Sequence, residues 1–172
     1  MQTNQHEVHQ IRGFLSTDMT GAFKEVQAIA KGTRCKQPFF SVSLNPPADA
    51  SVGIEAFEAA IDEIEAANNL TDQPRVIVFY EKDGRRHAHA VWSRIDADTM
   101  TARNLPHFKN KLQAISRDLF FTHQWKMPKG LLDRSQTNPT NVHACRMASR
   151  QAPGPQRHRS KEAHPTMLGR ER

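Results

Sequence analysis

The chain has 172 residues, of which 37% are hydrophobic and 24% charged, which is enough for one domain with a sizeable core. No apolar run reaches the roughly 18 residues that a membrane-spanning helix needs, and the first ten residues lack the apolar core of a secretory signal. We therefore expect a cytoplasmic protein without membrane insertion. The two cysteines, Cys35 and Cys145, form neither a disulfide framework nor a CxxC motif, which excludes zinc-finger classes.

The net charge of +6 is concentrated at the C-terminus. Residues 142–172 hold seven basic and two acidic side chains, whereas residues 1–141 hold 17 basic and 16 acidic ones. Because the body of the chain is close to neutral, its bulk charge does not by itself establish nucleic acid binding.

The first third of the chain predicts a strand, a helix and a second strand. Residues 6–14 alternate loosely, as a strand or an extended entry does. Asp18 is a suitable N-cap for a helix over roughly 18–31. Residues 39–44 are β-rich and precede Asn45-Pro46-Pro47, which cannot continue a ladder, and we interpret them as a central strand.

Two helices and a hairpin follow. Apolar residues at spacings of three and four predict helices over roughly 51–67 and 106–123. Between them, β-branched and aromatic runs at 75–80 and 87–95 are joined through Asp83-Gly84, a strong hairpin signal. The order of elements indicates an α+β fold, with helices covering one face of an antiparallel-rich central sheet.

A two-residue Asp-Gly loop determines which side chains of the hairpin share a face. Tyr80 then lies opposite His87, and His89 shares their face because strand side chains alternate with period two. The opposite face is apolar and holds Phe79, Ala88, Ala90 and Trp92. Two imidazoles this close can bind one divalent cation. A solvent-exposed face with two incidental histidines accounts for the same pattern equally well.

Three runs of sequence resemble a known family. YEKDGRRHAHAVWSRID, NLPHFKNKLQAISRDLF and GTRCKQPFFSVSLNPP look like the relaxase and mobilisation nuclease family of MobA/VirD type, the HUH endonucleases of plasmid conjugative transfer, over roughly His6 to Pro139. The resemblance implies a relaxase-like endonuclease domain that nicks single-stranded DNA at a transfer origin by metal-assisted transesterification. It also implies accessory mobilisation proteins as partners.

The resemblance assigns roles to individual residues. His87 and His89 match the His-x-His pair that holds a divalent metal, Mg²⁺ or Mn²⁺, against the scissile phosphate. Ser43 resembles the serine of the second family motif, which helps to seat DNA phosphate. Arg85 and Arg86 lie beside the site and are candidate phosphate contacts. An ordinary strand serine and a solvated hairpin tip account for these three residues equally well.

The sequence departs from the family at two points. Where the family has a third histidine, seven residues before His87, this chain has Tyr80. Since a phenol has a pKa near 10 and is a poorer ligand than imidazole, we predict weakened metal binding. The segment that usually brings the nucleophilic tyrosine precedes the part matching His6, and Tyr80 is the only tyrosine. Its place mid-strand facing the metal pair disfavours it as the nucleophile, so we expect a truncated domain that is inactive unless an upstream segment supplies one.

The C-terminal composition suggests a boundary near residue 141. We expect a partial relaxase domain over 1–141 and, over 142–172, either a basic disordered tail that helps to hold DNA or the product of a frameshift. Two other function classes remain open: a non-catalytic single-stranded DNA-binding or accessory module, and an interaction domain with incidental histidines.

Overall fold

The computed structural model describes residues 6–82 and 84–132. Its elements, in chain order, are β1 (His6–Arg12), α1 (Met19–Lys31), β2 (Phe39–Leu44), α2 (Ile54–Ala67), β3 (Arg75–Lys82), β4 (Arg85–Ser93), β5 (Ile95–Asp96), β6 (Thr101–Ala102), α3 (Phe108–Thr122) and α4 (Lys129–Leu132). Four strands form an antiparallel sheet in the order β1-β3-β4-β2, and β5 pairs with β6. The predicted α+β fold with an antiparallel-rich sheet is confirmed.

The β3–β4 hairpin has the predicted register. Lys82 pairs with Arg85, and Tyr80 pairs with His87. Gly84 has a φ of 70°, in the left-handed region that tight hairpin turns require and glycine adopts without strain. The turn therefore sets the faces of both strands as the sequence indicated.

The prediction that β2 is a central strand is wrong. Within the described residues β2 pairs with β4 alone and lies at an edge of the sheet, so the central strands are β3 and β4. Pro46 and Pro47 follow one residue after β2, which ends at Leu44. Because proline has no backbone N–H to donate to a ladder, its position after β2 is typical of an edge strand.

The main core lies between the sheet and helices α2 and α3. The side chains of the apolar hairpin face, Phe79, Ala88, Ala90 and Trp92, are all 2% exposed or less. They pack in one cluster with residues of both helices, among them Phe57, Ile61, Ile64, Leu112 and Ile115. The prediction of a helix-covered sheet face is confirmed for this face, which we call the helix-covered face.

Helix α1 contacts the other face of the sheet. The ring of Phe23 lies edge-on against Phe39, with the ring centroids 5.4 Å apart. Phe39 pairs with Ser93 at the C-terminal end of β4, and the neighbouring Phe40 belongs to the core cluster, so Phe39 points the opposite way. Helix α1 therefore covers the end of this second face that is distant from the hairpin turn.

A buried ionic cluster joins α2 to three strands on the helix-covered face. The Arg75 guanidinium lies 2.8 Å from Glu65 and 2.6 Å from Asp62. Glu65 also accepts hydrogen bonds from Arg12 at 2.9 Å and from the indole N–H of Trp92 at 2.8 Å. Arg75 and Glu65 are only 5% and 6% exposed. Because each buried charge has its partner, the cluster leaves no uncompensated charge in the core and links α2 to β1, β3 and β4.

Three short elements have no counterpart among the elements predicted from the sequence. The two-residue strands β5 and β6 and the four-residue helix α4 are too short to give a periodic hydrophobic pattern. The predictions for residues 142–172 fall outside the described residues. Among the helices of the described part, none combines the length and apolarity needed to cross a membrane.

Candidate functional site

The second sheet face carries the predicted histidines beside the hairpin turn. Tyr80, His87 and His89 share this face, which we call the histidine face. The Tyr80 ring is stacked on His87, with centroids 5.1 Å apart and planes 16° apart. His87 is 4% exposed, whereas Tyr80 and His89 are half-buried. His6 of β1 pairs with Tyr80 from the other side, with ring centroids 5.9 Å apart.

The end of β2 and the residue after it contact both histidines through their Nδ1 atoms. Ser43 pairs with His89 in the ladder, and its Oγ lies 2.8 Å from His89 Nδ1. The ladder ends one residue later, at Leu44. The Oδ1 atom of Asn45 lies 2.7 Å from His87 Nδ1, so side-chain hydrogen bonds continue the pairing of β2 with β4 beyond the last paired residue.

Arg85 makes a third contact along the same line. Its side chain shares the histidine face, two residues before His87, and Nη1 donates to the carbonyl oxygen of Pro46 at 3.1 Å. The segment from Ser43 to Pro46 is thus attached to β4 at three successive same-face positions. The remaining N–H groups of the guanidinium are chemically suited to an anionic ligand.

The structure does not bring Arg86 to the histidines. Its guanidinium carbon lies 5.9 Å from the centroid of the Phe79 ring, and Phe79 belongs to the helix-covered face. Arg85 and Arg86, adjacent in sequence, therefore point to opposite faces of the sheet.

Burial shifts the pKa of two ring groups in the site. Desolvation lowers the pKa of His89 below its ordinary value of 6.5, since burial disfavours the charged imidazolium. Desolvation also raises the pKa of Tyr80 above 10.0. His89 is therefore neutral at pH 7, which is the form that binds metals, while the Tyr80 phenol keeps its proton.

The donor set fits a divalent cation only in part. Among the described residues, no group of three or more His, Cys, Asp and Glu side chains is arranged to hold a metal ion. His87 and His89 are suitable imidazole donors on adjacent same-face positions. The third position holds Tyr80, whose protonated phenol is a poor ligand.

Sequence reasoning missed Asn45 and His6 as neighbours of the site. Asn45 stands two residues after Ser43, the same spacing that separates His87 from His89. This parallel spacing was the available signal, but it becomes informative only when β2 is known to lie beside β4. Predicting that His6 lies beside Tyr80 requires the register of β1 on β3, and no tight turn between these two strands determines that register.

A comparison with protein families identifies the family of this chain. A family model described as relaxase, MobA/VirD2-like, nuclease domain matches residues 1–125. This chain belongs to the relaxase family. The match covers all four strands of the main sheet, so every candidate site residue of this relaxase domain lies within it. Comparisons with curated proteins and with solved structures gave no match. The resemblance seen in the sequence is confirmed.

Proposed function

We propose that this relaxase domain binds single-stranded DNA of transfer-origin type across the histidine face and that a divalent cation, Mg²⁺ or Mn²⁺, assists the binding. The observation that supports it best is the placement of His87 and His89 side by side on one sheet face, with their Nδ1 atoms in hydrogen bonds to Asn45 and Ser43. These two imidazoles would hold the cation. When bound, it would polarise a phosphoryl oxygen and offset charge at the phosphate.

The proposed cation site is weaker than one built from three imidazoles. Tyr80 occupies the place of the third ligand, and burial keeps its phenol protonated. Its ring is stacked on His87, which supports a role in packing the imidazole. A cation held by two protein ligands leaves more coordination positions for phosphate oxygens and water, so metal and DNA binding should depend strongly on each other.

Arg85 and Ser43 are the proposed contacts to DNA phosphate. Both lie on the histidine face. Ser43 is paired with His89 across the ladder, and Arg85 is two residues before His87 along β4. Arg85 retains donors beyond the one used on Pro46, and a guanidinium matches phosphate geometry. Arg86 is not part of the proposal, because its guanidinium lies over Phe79 on the other face.

Relaxase-like nicking of the bound strand is the first candidate activity. A hydroxyl oxygen would attack the phosphorus, forming a phosphoester with the protein and releasing the 3′-hydroxyl of the cleaved strand. The second candidate, a non-catalytic DNA-binding or accessory module, is favoured by one observation. Tyr80 is the only tyrosine of the chain, and its ring is stacked within the proposed cation site.

Binding and cleavage of a labelled single-stranded oligonucleotide test the proposal. We expect Mn²⁺ to tighten binding measured by fluorescence anisotropy, and the double variant His87→Ala, His89→Ala to lose that gain. His123→Ala, which removes an exposed histidine at the end of α3, should keep it. Equal affinity with and without Mn²⁺ would contradict the proposal. Strand cleavage on a denaturing gel supports the first candidate, and metal-dependent binding without cleavage supports the second.

A further inference from the structure

We propose that Asn45 and Ser43 are positioning residues that place the proton of each imidazole on Nδ1, so that His87 and His89 present the lone pair of Nε2. The inference deepens the proposed function and rests on it, because Nε2 then has the lone pair that a cation would bind. Ser43 thereby acquires a role through His89 in addition to its proposed contact with DNA.

Asn45 favours the tautomer of His87 that has its proton on Nδ1. The Oδ1 atom of an amide has no hydrogen and can only accept. At 2.7 Å from it, Nδ1 of His87 must be the donor, which leaves the lone pair of the neutral ring on Nε2. Metal-binding histidines are commonly oriented in this way by an acceptor on the other ring nitrogen.

Ser43 acts differently because a hydroxyl can donate or accept. If Ser43 donates to His89 Nδ1, the proton of the neutral ring lies on Nε2 and the ring cannot bind a cation. If Nδ1 donates to Ser43 at the same 2.8 Å separation, Nε2 has the lone pair and the hydroxyl proton can be given to a phosphate oxygen. The second arrangement is the proposed one, and a phosphate beside Ser43 would stabilise it further by accepting the hydroxyl proton.

The backbone of β2 explains why these two residues reach the two histidines. Ser43 and Asn45 are two positions apart and so point to the same face, as do His89 and His87. Pro46 has a fixed φ, and its carbonyl oxygen accepts from Arg85. These constraints hold the Asn45 side chain against His87, which is 4% exposed and stacked under Tyr80.

Nitrogen-15 NMR of the imidazoles tests the proposal on the metal-free, DNA-free protein at pH 8, where an ordinary histidine is neutral. We expect His87 of the natural protein to have its proton on Nδ1. Asn45→Ala should shift protons towards Nε2, and Asn45→Asp, which also accepts, should restore the original state. Ser43→Ala should change the tautomer of His89 while Ser43→Thr, which keeps the hydroxyl, should not.

A second measurement separates this proposal from the proposed function. We expect Asn45→Ala and Ser43→Ala each to weaken Mn²⁺ binding, measured by calorimetry, by roughly 10-fold to 100-fold, with Asn45→Asp and Ser43→Thr closer to the natural protein. Unchanged tautomers in both alanine variants would overturn the positioning role whatever the metal data show. If the alanine variants change the tautomers but the natural protein binds no Mn²⁺, the positioning role is supported and the proposed cation site is overturned.

Discussion

The two faces of the β3–β4 hairpin are built from alternate residues of the same strands and have different properties. On the helix-covered face, Ala88, Ala90 and Trp92 are fully buried under α2 and α3. On the histidine face, His89 and Tyr80 are half-buried and contact polar groups and rings. A shift of one residue along a strand therefore changes a side chain from a packing role to a chemical one. Substitutions on the two faces should therefore have separable effects.

The largest expected effect is on the helix-covered face. Trp92→Ala should lower the free energy of unfolding by about 3–5 kcal/mol, because it leaves a large cavity in the core and removes a hydrogen bond to the buried Glu65. Urea denaturation measures this loss. Trp92→Phe is the matched control: it keeps most of the ring and should cost about 1.5–3 kcal/mol. A loss below about 1 kcal/mol for Trp92→Ala would contradict the account of this face.

The next effect is on the histidine face and concerns metal affinity. Tyr80→His should tighten Mn²⁺ binding by about tenfold or more, since it adds a third imidazole beside His87 and His89. The free energy of unfolding should change by less than about 1 kcal/mol, because the position is half-buried and an imidazole can stack in place of the phenol.

Calorimetric titration of Mn²⁺ measures the affinity change at Tyr80. Tyr80→Phe serves as the control, because it keeps the stacked ring and adds no ligand, so it should bind Mn²⁺ as the natural protein does. Tight Mn²⁺ binding by the natural protein, without a gain in Tyr80→His, would show that the third-ligand position does not limit the site.

Arg85 and Arg86 allow the two faces to be compared at adjacent positions. Arg85→Gln should reduce the slope of log affinity for single-stranded DNA against log salt concentration by about 0.7, the value expected for one lost phosphate contact. Arg86→Gln should leave the slope unchanged, because Arg86 lies over Phe79. Anisotropy titrations at several salt concentrations measure both slopes. Equal losses for the two variants would show that DNA binding does not discriminate between the faces.

The smallest expected effect is at α1, which covers the far end of the second face. Asp18 accepts a hydrogen bond from Gly21 N–H, which lowers its pKa below 3.8 in the folded protein. Its contribution to stability is therefore complete above the unfolded-state value and is lost as pH falls through the lower folded-state pKa. Asp18→Ala should lower the Tm by about 1–3 °C at pH 7.

The pH dependence of that Tm difference identifies its cause. The gap between the natural protein and Asp18→Ala should shrink as the pH falls from the unfolded-state pKa through the lower folded-state pKa, because the carboxyl group becomes protonated. Asp18→Asn keeps a side-chain acceptor and should show a smaller gap at pH 7. A gap of the same size at pH 7 and pH 2 would mean that the charge of Asp18 has no part in capping α1.

The sequence was most informative where local chemistry determines structure. The Asp-Gly turn predicted the pairing of Tyr80 with His87, because a two-residue loop leaves only one register. Asp18 indicated the start of α1 for a similarly local reason. The opposite orientations of Arg85 and Arg86 also follow from strand alternation, so the expectation that both contact DNA phosphate beside the histidines conflicts with the register of the hairpin.

The remaining features depended on contacts between distant parts of the chain. The edge position of β2 and the bond between Asn45 and His87 require that strands more than 40 residues apart are neighbours. A register irregularity between Val8 and Gln10 separates two N-terminal histidines. His6 lies beside Tyr80, whereas His9 contacts Glu58 of α2. Neither hydrophobic periodicity nor turn residues report such an irregularity.

The two prolines after β2 also affect how readily the edge of the sheet can pair with a strand of another protein chain. An edge strand offers N–H and C=O groups with which a strand of another chain can pair, and this is a common route to aggregation. β2 is only six residues long, and Pro46 and Pro47, one residue beyond its end, have no N–H to offer. The residues that end the ladder beside the histidines thus also limit the length over which a second sheet could join this one.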